Sequence, residues 1–214
     1  MNLPRYDSVK NHLGFIFCIN YVNFKLETIP NLSQHFKDTL KTVVPEPQSG
    51  FNIGFIEEYK LYKNLKLRIM PNLGFMERDI DYSVAGVDTF IIVKRIESTF
   101  MNLPIDLKWV SNRIKRNIQV YVLGGINLDK DLSSQKGINQ QQEGPNSTVI
   151  LEPYDFAYEA GAGLQFFFKS FKLGIDLKLS LGTQNVMIPD QSIYTQSIQS
   201  LHSKIYLLTF SFGG

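Results

Sequence analysis

The groups best suited to acid–base or metal chemistry are three histidines, His12, His35 and His202. They fall in different parts of the chain. His12 opens the first alternating segment, His35 sits in a long polar stretch, and His202 begins the last alternating segment. Nothing in their spacing gathers them into a ligand set, so no metal site is expected. His202 with Ser200 or Ser203 is the one local pairing of a base with a hydroxyl, the pattern of a hydrolase working at a barrel rim. A rim histidine in a polar loop is the simpler reading. The chain has no Gly-x-Ser-x-Gly elbow and no phosphate loop, and Gly161-Ala162-Gly163 reads as a thinned strand. Cys18 is the single cysteine, so no intrachain disulfide can form, and it reads as a small filler. No catalytic, cofactor-binding or metal-binding residue is assigned.

What remains is a set of charges spaced two apart. Lys66 and Arg68, Asp106 and Lys108, and Asp176 and Lys178 alternate with apolar neighbours, and Glu58 and Glu159 share that placement. A period of two puts such residues on one face of a strand. Four acids and four bases facing each other could relay protons. They could equally form a static set of ion pairs, which is the simpler use of buried charge.

These residues need strands to position them, and the dominant period along the chain is two. From Tyr154 to Phe168 the even positions are apolar or aromatic, while Asp155, Glu159, Gly161, Gly163 and Gln165 occupy the odd ones. Leu173, Ile175, Leu177, Leu179 and Leu181 repeat the pattern against Gly174, Asp176, Lys178, Ser180 and Gly182. Similar segments start at Leu13, Leu65, Met101, Ile118 and Tyr206. The eighth, Phe51 to Tyr59, is the weakest. Either phase leaves Glu57 or Glu58 on the apolar face, which predicts a bulge or an early end. Pro71 and Pro104 each remove a ladder donor, and bulges would absorb them too.

Connections alternate in length. Those after Tyr59, Trp109 and Phe168 are short, whereas residues 24–49, 77–90, 128–152 and 184–203 are long and polar. The pattern predicts an all-β fold, an eight-stranded antiparallel transmembrane β-barrel with short periplasmic turns and long extracellular loops. Residues 1–11 read as a periplasmic N-terminal arm, and residues 12–214 as one barrel domain. Both termini would then be periplasmic.

A soluble lipocalin-like barrel would also alternate, with its apolar face around a ligand. Here the polar face carries strand-weakening glycines, which make sense only where eight strands leave little room inside. The apolar face then meets lipid. The polar face forms a lumen network of Glu58, Lys66, Arg68, Asp106, Lys108, Glu159, Asp176 and Lys178. Aromatics at the strand ends read as interface girdles: Tyr59, Trp109, Phe168, Phe171 and Phe212 at one end, and Tyr21, Phe75, Tyr82 and Tyr154 at the other. A filled lumen argues against a channel.

Composition narrows the classes further. With 22 Lys+Arg against 20 Asp+Glu there is no basic excess to hold nucleic acid. No run of about 18 apolar residues exists, which excludes a transmembrane helix. The start, Met1-Asn2-Leu3-Pro4, lacks the basic and apolar segments of a signal peptide. An exported protein with this start is expected to be the mature chain. Outer-membrane lipid is the expected partner, with no cofactor and no small-molecule substrate.

Asn2-Leu3-Pro4-Arg5-Tyr6-Asp7 followed by His12-Leu13-Gly14-Phe15 resembles the start of mature PorT-family proteins of Bacteroidetes. The likeness continues through Glu97-Ser98-Thr99, Leu103-Pro104, Arg113, Tyr121-Val122-Leu123-Gly124-Gly125, Asp131, Asp155, Glu159 to Gly163, and Tyr194, Ile198 and Leu201-His202-Ser203. It covers nearly the whole chain. The end departs from it, since Gly213-Gly214 follow Phe212 where many barrels finish on an aromatic. The resemblance implies an outer-membrane barrel needed for type IX secretion, working in protein transport within a membrane protein complex. It implies envelope or secretion-system proteins as partners and carries over no catalytic residue. An outer-membrane lipid or peptide hydrolase with a rim site stands as the alternative function.

Overall fold

The fold is known from a computed structural model, which describes residues 2–3, 6–30, 40–84, 90–133, 151–188 and 193–213. A short 3-10 turn, Tyr6–Ser8, precedes ten strands: β1 (Asn11–Thr28), β2 (Leu40–Glu46), β3 (Gln48–Lys60), β4 (Leu65–Ile69), β5 (Asn72–Val84), β6 (Phe90–Val110), β7 (Ile118–Asp131), β8 (Tyr154–Phe167), β9 (Lys172–Gly182) and β10 (Ile198–Gly213). Only Pro47 separates β2 from β3, and only Met70-Pro71 separates β4 from β5. The ten strands therefore make eight staves. All pairings are antiparallel, and β1 closes the ring by bonding β10 on one side and β3 on the other. Closure leaves no edge, the condition for burying backbone in hydrocarbon.

The bulges expected near Glu57, Pro71 and Pro104 do not form. β3 runs against β1 without a register shift, from Asn11↔Tyr59 to Val22↔Gln48. Glu57 simply faces outward, where its carboxylate accepts from Asn11 Nδ2 at 2.8 Å, and Glu58 faces inward. The strand tolerates Glu57 because it lies at the turn end, beside Tyr59 and water. The register also passes unbroken through both prolines. Pro71 keeps its carbonyl bond from Phe55 N at 3.0 Å. Pro104 accepts from Met70 N but has no N–H to return, and Asn72 Nδ2 donates to Met70 O instead at 2.8 Å. One side-chain amide thus replaces the missing ladder donor, so no residue has to be extruded.

The long segments expected as loops are strand over part of their length. β1 continues to Thr28, β2 fills 40–46, β5 continues to Val84, and β10 already begins at Ile198. Alternation that ends at Tyr21 hid this extension, because the apolar side changes there. Up to Tyr21, Leu13, Phe15, Phe17 and Ile19 face outward and are exposed; beyond it Val22 and Phe24 face inward and are buried. The outer surface has passed from lipid into water. A second, inward-facing core with Leu40, Ile80, Tyr82, Ile198 and Leu201 takes over inside. Tyr82 therefore belongs to this core and not to the girdle in which its strand-end position placed it. Leu151, Val186 and Met187 fold onto the same core, tied down by Val186 N to Leu201 O at 2.9 Å and Glu152 N to Val186 O at 2.8 Å. The loop end of the barrel is capped.

Within the band the wall is thinned where the lumen is fullest. Tyr121 lies directly across from Gly163, and its ring occupies the space over that glycine. A methyl added there would stand 2.5 Å from Ile175 O and 2.6 Å from both Asp176 Cβ and the Tyr121 ring, so the β9 backbone and the ring must both shift. Gly163→Ala is expected to cost about 1–3 kcal/mol, as overpacking of a tight interior does. Urea unfolding in detergent, followed through the single Trp109, measures it. A variant as stable as the parent would mean that β9 and the Tyr121 ring both have room to shift.

Candidate functional site

The eight charged residues singled out by spacing all turn into the lumen, and each is buried. The structure divides them into two groups and adds members. Toward the turn end, the Glu58 carboxylate faces three ammonium groups: Lys172 at 2.5 Å, Lys108 at 2.6 Å and Lys66 at 3.6 Å. Lys108 also donates to Gln165 Oε1 at 2.9 Å and lies 3.8 Å from the centre of the Tyr121 ring. Gln165 in turn donates to Gln119.

Farther along the axis, Arg68 grips Asp176 with both terminal nitrogens at 3.1 Å, while its Nε lies 3.7 Å from Asp106. Tyr121 donates its hydroxyl to Asp176 at 2.7 Å. Lys178 lies 3.4 Å from Asp106 and bonds Glu159. A bidentate guanidinium fixes direction as well as charge, which suits the only arginine at this level.

Lys172, Tyr121, Gln119 and Gln165 were not in the expected network. Their signal was nonetheless present. Lys172 shares the phase of Gly174, Asp176 and Lys178 but lies one residue before the segment read from Leu173, and the other three alternate with outward apolar residues. An asparagine ribbon was missed as well. Asn20 Nδ2 donates to Asn52 at 2.5 Å, Asn52 Nδ2 to Asn72 at 2.8 Å, and Asn102 Nδ2 to Asn72 at 2.9 Å, which links four staves. Above it, Arg78 lies between the rings of Phe24 and Phe100, each 4.9 Å from its Cζ, and donates to Ser98.

Between the Lys178 group and Arg78 remains a cavity of about 30 Å³, lined by Cys18, Asn127, Asp129, Glu159 and neighbours. It has room for about two water molecules. Among the described residues the centre of the lumen is packed with side chains, Leu151, Val186 and Met187 fold onto its loop-end core, and Tyr6 is buried at its turn end.

The rim pair does not assemble. His202 lies across from Lys25 on β1, whereas Ser203 is buried, facing inward toward Asp155. Ser200 Oγ donates to Glu27 Oε2 at 3.1 Å instead, and together with Lys25 it holds that exposed carboxyl below the usual range. Neither hydroxyl is presented to the imidazole. His12 is at the opposite end, and His35 lies outside the described residues. Among the described residues no group of His, Cys, Asp or Glu is arranged to hold a metal ion.

The outer wall is continuous apolar surface. Tyr21, Tyr59, Trp109, Tyr154, Phe168, Phe171 and Phe212 are all exposed; Tyr21 lies within β1 and the others at or just beyond strand ends. No helix among the described residues is long and apolar enough to cross a membrane, so any crossing is made by strands.

The turn end is also where the N-terminal residues are held. Arg113 Nη1 donates to Asn2 O at 2.7 Å, Asn2 Nδ2 to Phe167 O at 2.8 Å, and Asn2 N to Asn117 Oδ1 at 2.9 Å. The buried Tyr6 ring stacks on His12 at 3.6 Å and meets Phe167 edge-on.

No curated protein matches this chain at a significant level. Solved structures share its fold. OprG of Pseudomonas aeruginosa superposes with a TM-score of 0.51 at 7% identity, covering 96% of this chain and 94% of that one. AlkL, solved in DMPC lipid bilayers, gives 0.51 at 14% identity, covering 96% and 90%. Ail of Yersinia pestis gives 0.42 at 14% identity, covering 96% and 100%. At these identities the likeness to OprG and AlkL is one of fold. The model of the outer membrane protein beta-barrel domain matches residues 10–186, most of the chain. A closed ring with a lipid-facing wall and that match together place the protein in the outer membrane protein beta-barrel domain family.

Proposed function

We propose that this outer-membrane barrel is a non-enzymatic subunit or assembly factor of a protein-secretion machine of the type IX kind, as its resemblance to PorT-family proteins implies. The observation that carries the reading is the packed lumen. Most of its charged side chains are spent on one another, which leaves the outer wall, the two ends of the barrel and the docked N-terminal residues as the surfaces able to act. An interior so filled serves rigidity better than transport. In this reading the short turns and both termini face the periplasm, the loop-end extension faces outward, and the N-terminal segment docked at the turn end is presented to periplasmic partners.

The test is gentle detergent extraction of the native protein from membranes, followed by identification of what co-purifies. A discrete complex with other secretion components is the expected result. A barrel recovered alone from the outer membrane, under conditions that preserve other envelope complexes, would overturn the subunit reading.

A further inference from the structure

We infer that the turn end of the barrel holds a phosphate group, presented by an anionic phospholipid headgroup or as the free ion, in a cleft walled by Lys60, Lys63, Lys66 and Arg113. The first reason is an imbalance of buried charge. Around Glu58 three ammonium groups face one carboxylate. In the next group Arg68 and Lys178 face three carboxylates, those of Asp106, Glu159 and Asp176. The lumen is thus graded from basic at the turn end to acidic beyond it, and burying uncompensated charge is costly.

The second reason is Lys66 itself. Glu58 is already bonded to Lys108 and Lys172, so Lys66 is left at 3.6 Å from it. Its ammonium is buried, lies 5.1 Å from the centre of the Tyr6 ring, and has no hydrogen-bond acceptor among the described residues. Buried donors without an acceptor are rare and call for a ligand or an ion.

The third reason is that a space adjoins it. A cleft of about 240 Å³ is lined by Lys66 together with His12, Lys60, Lys63 and Arg113, and no acid lines it among the described residues. Arg113 spends its terminal nitrogens on Asn2 O and Leu3 O and adds only its charge to the wall, so the ammonium groups of the lysines are the donors that suit a phosphate oxyanion there.

The surroundings point to a lipid source. The turn that carries Lys60 and Lys63 exposes Leu61 and Tyr62, at 41% and 73%, and Trp109 beside it is exposed at 59%. An aromatic and apolar rim next to a basic cleft sets that cleft at headgroup depth.

The whole chain in nonionic detergent, free of phosphate, is titrated with phosphatidylglycerol or phosphatidylcholine and read by native mass spectrometry. Inorganic phosphate is tested separately by thermal melting. Retention of one phosphatidylglycerol in preference to phosphatidylcholine, weakened about tenfold by Lys63→Gln or Lys66→Gln, is the expected result, since each removes one charge-assisted contact. Stabilisation by inorganic phosphate that both variants lose, without lipid retention, would also support the site and identify the free ion as its occupant. Lys63 is exposed, so its variant keeps the test valid should Lys66→Gln fail to fold. Equal retention of both lipids with no phosphate effect, or an unchanged preference in Lys63→Gln, would overturn the proposal.

Discussion

Glu58→Gln is expected to destabilise the barrel by about 3–5 kcal/mol, the cost of stranding buried charge. The amide is nearly the same size, so packing is kept while the one carboxylate shared by Lys66, Lys108 and Lys172 is lost. Three ammonium groups would then face each other in a closed lumen. Urea unfolding in detergent, with Trp109 as reporter, measures the loss. Adding Lys108→Met to the Glu58→Gln background should recover part of it, because the double variant strands fewer cations. A single variant within about 1 kcal/mol of the parent would show that water reaches these lysines, and would count against a dry, ion-paired interior.

Leu177→Arg is expected to cost about 2–4 kcal/mol when the barrel is refolded into lipid vesicles, as for a basic side chain near the bilayer midplane. Leu177 is exposed on the outer wall, between Ala162 on β8 and Leu208 on β10, deep within the apolar band. Val44→Arg is the control. Val44 is as outward and as apolar but lies on β2, above the band, and its substitution should change stability by no more than about 0.5 kcal/mol. A small effect at both positions would mean that the outer wall meets water, and the assignment of faces would fail.

The lumen residues were legible because a strand has only two faces. Once Leu173, Ile175 and Leu177 were placed outward, Asp176 and Lys178 had to point in. The same rule places Lys172 inward once the strand is taken to start at that residue and not at Leu173. It failed at Tyr82 and along residues 24–28 for a physical reason. Alternation reports the contrast between a strand's two environments, and that contrast reverses where the barrel leaves the membrane. Apolar residues there face in, and a reading that assumes they face out sees only irregular loop.

What the sequence determined by itself was the period, the number of staves, the two faces and the residue types on each, because these depend only on neighbours along one strand. Which acid meets which base was decided by the tertiary structure alone. Glu58 and Lys172 lie 114 residues apart in sequence, and Arg68 and Asp176 lie 108 apart. Their meeting depends on the tilt and stagger of eight staves closing into a ring, a property of the whole barrel. The same closure sorted four acids and five bases, Lys172 among them, into a basic turn end and an acidic middle. It also brought Lys66 to a place where no acceptor is left for it.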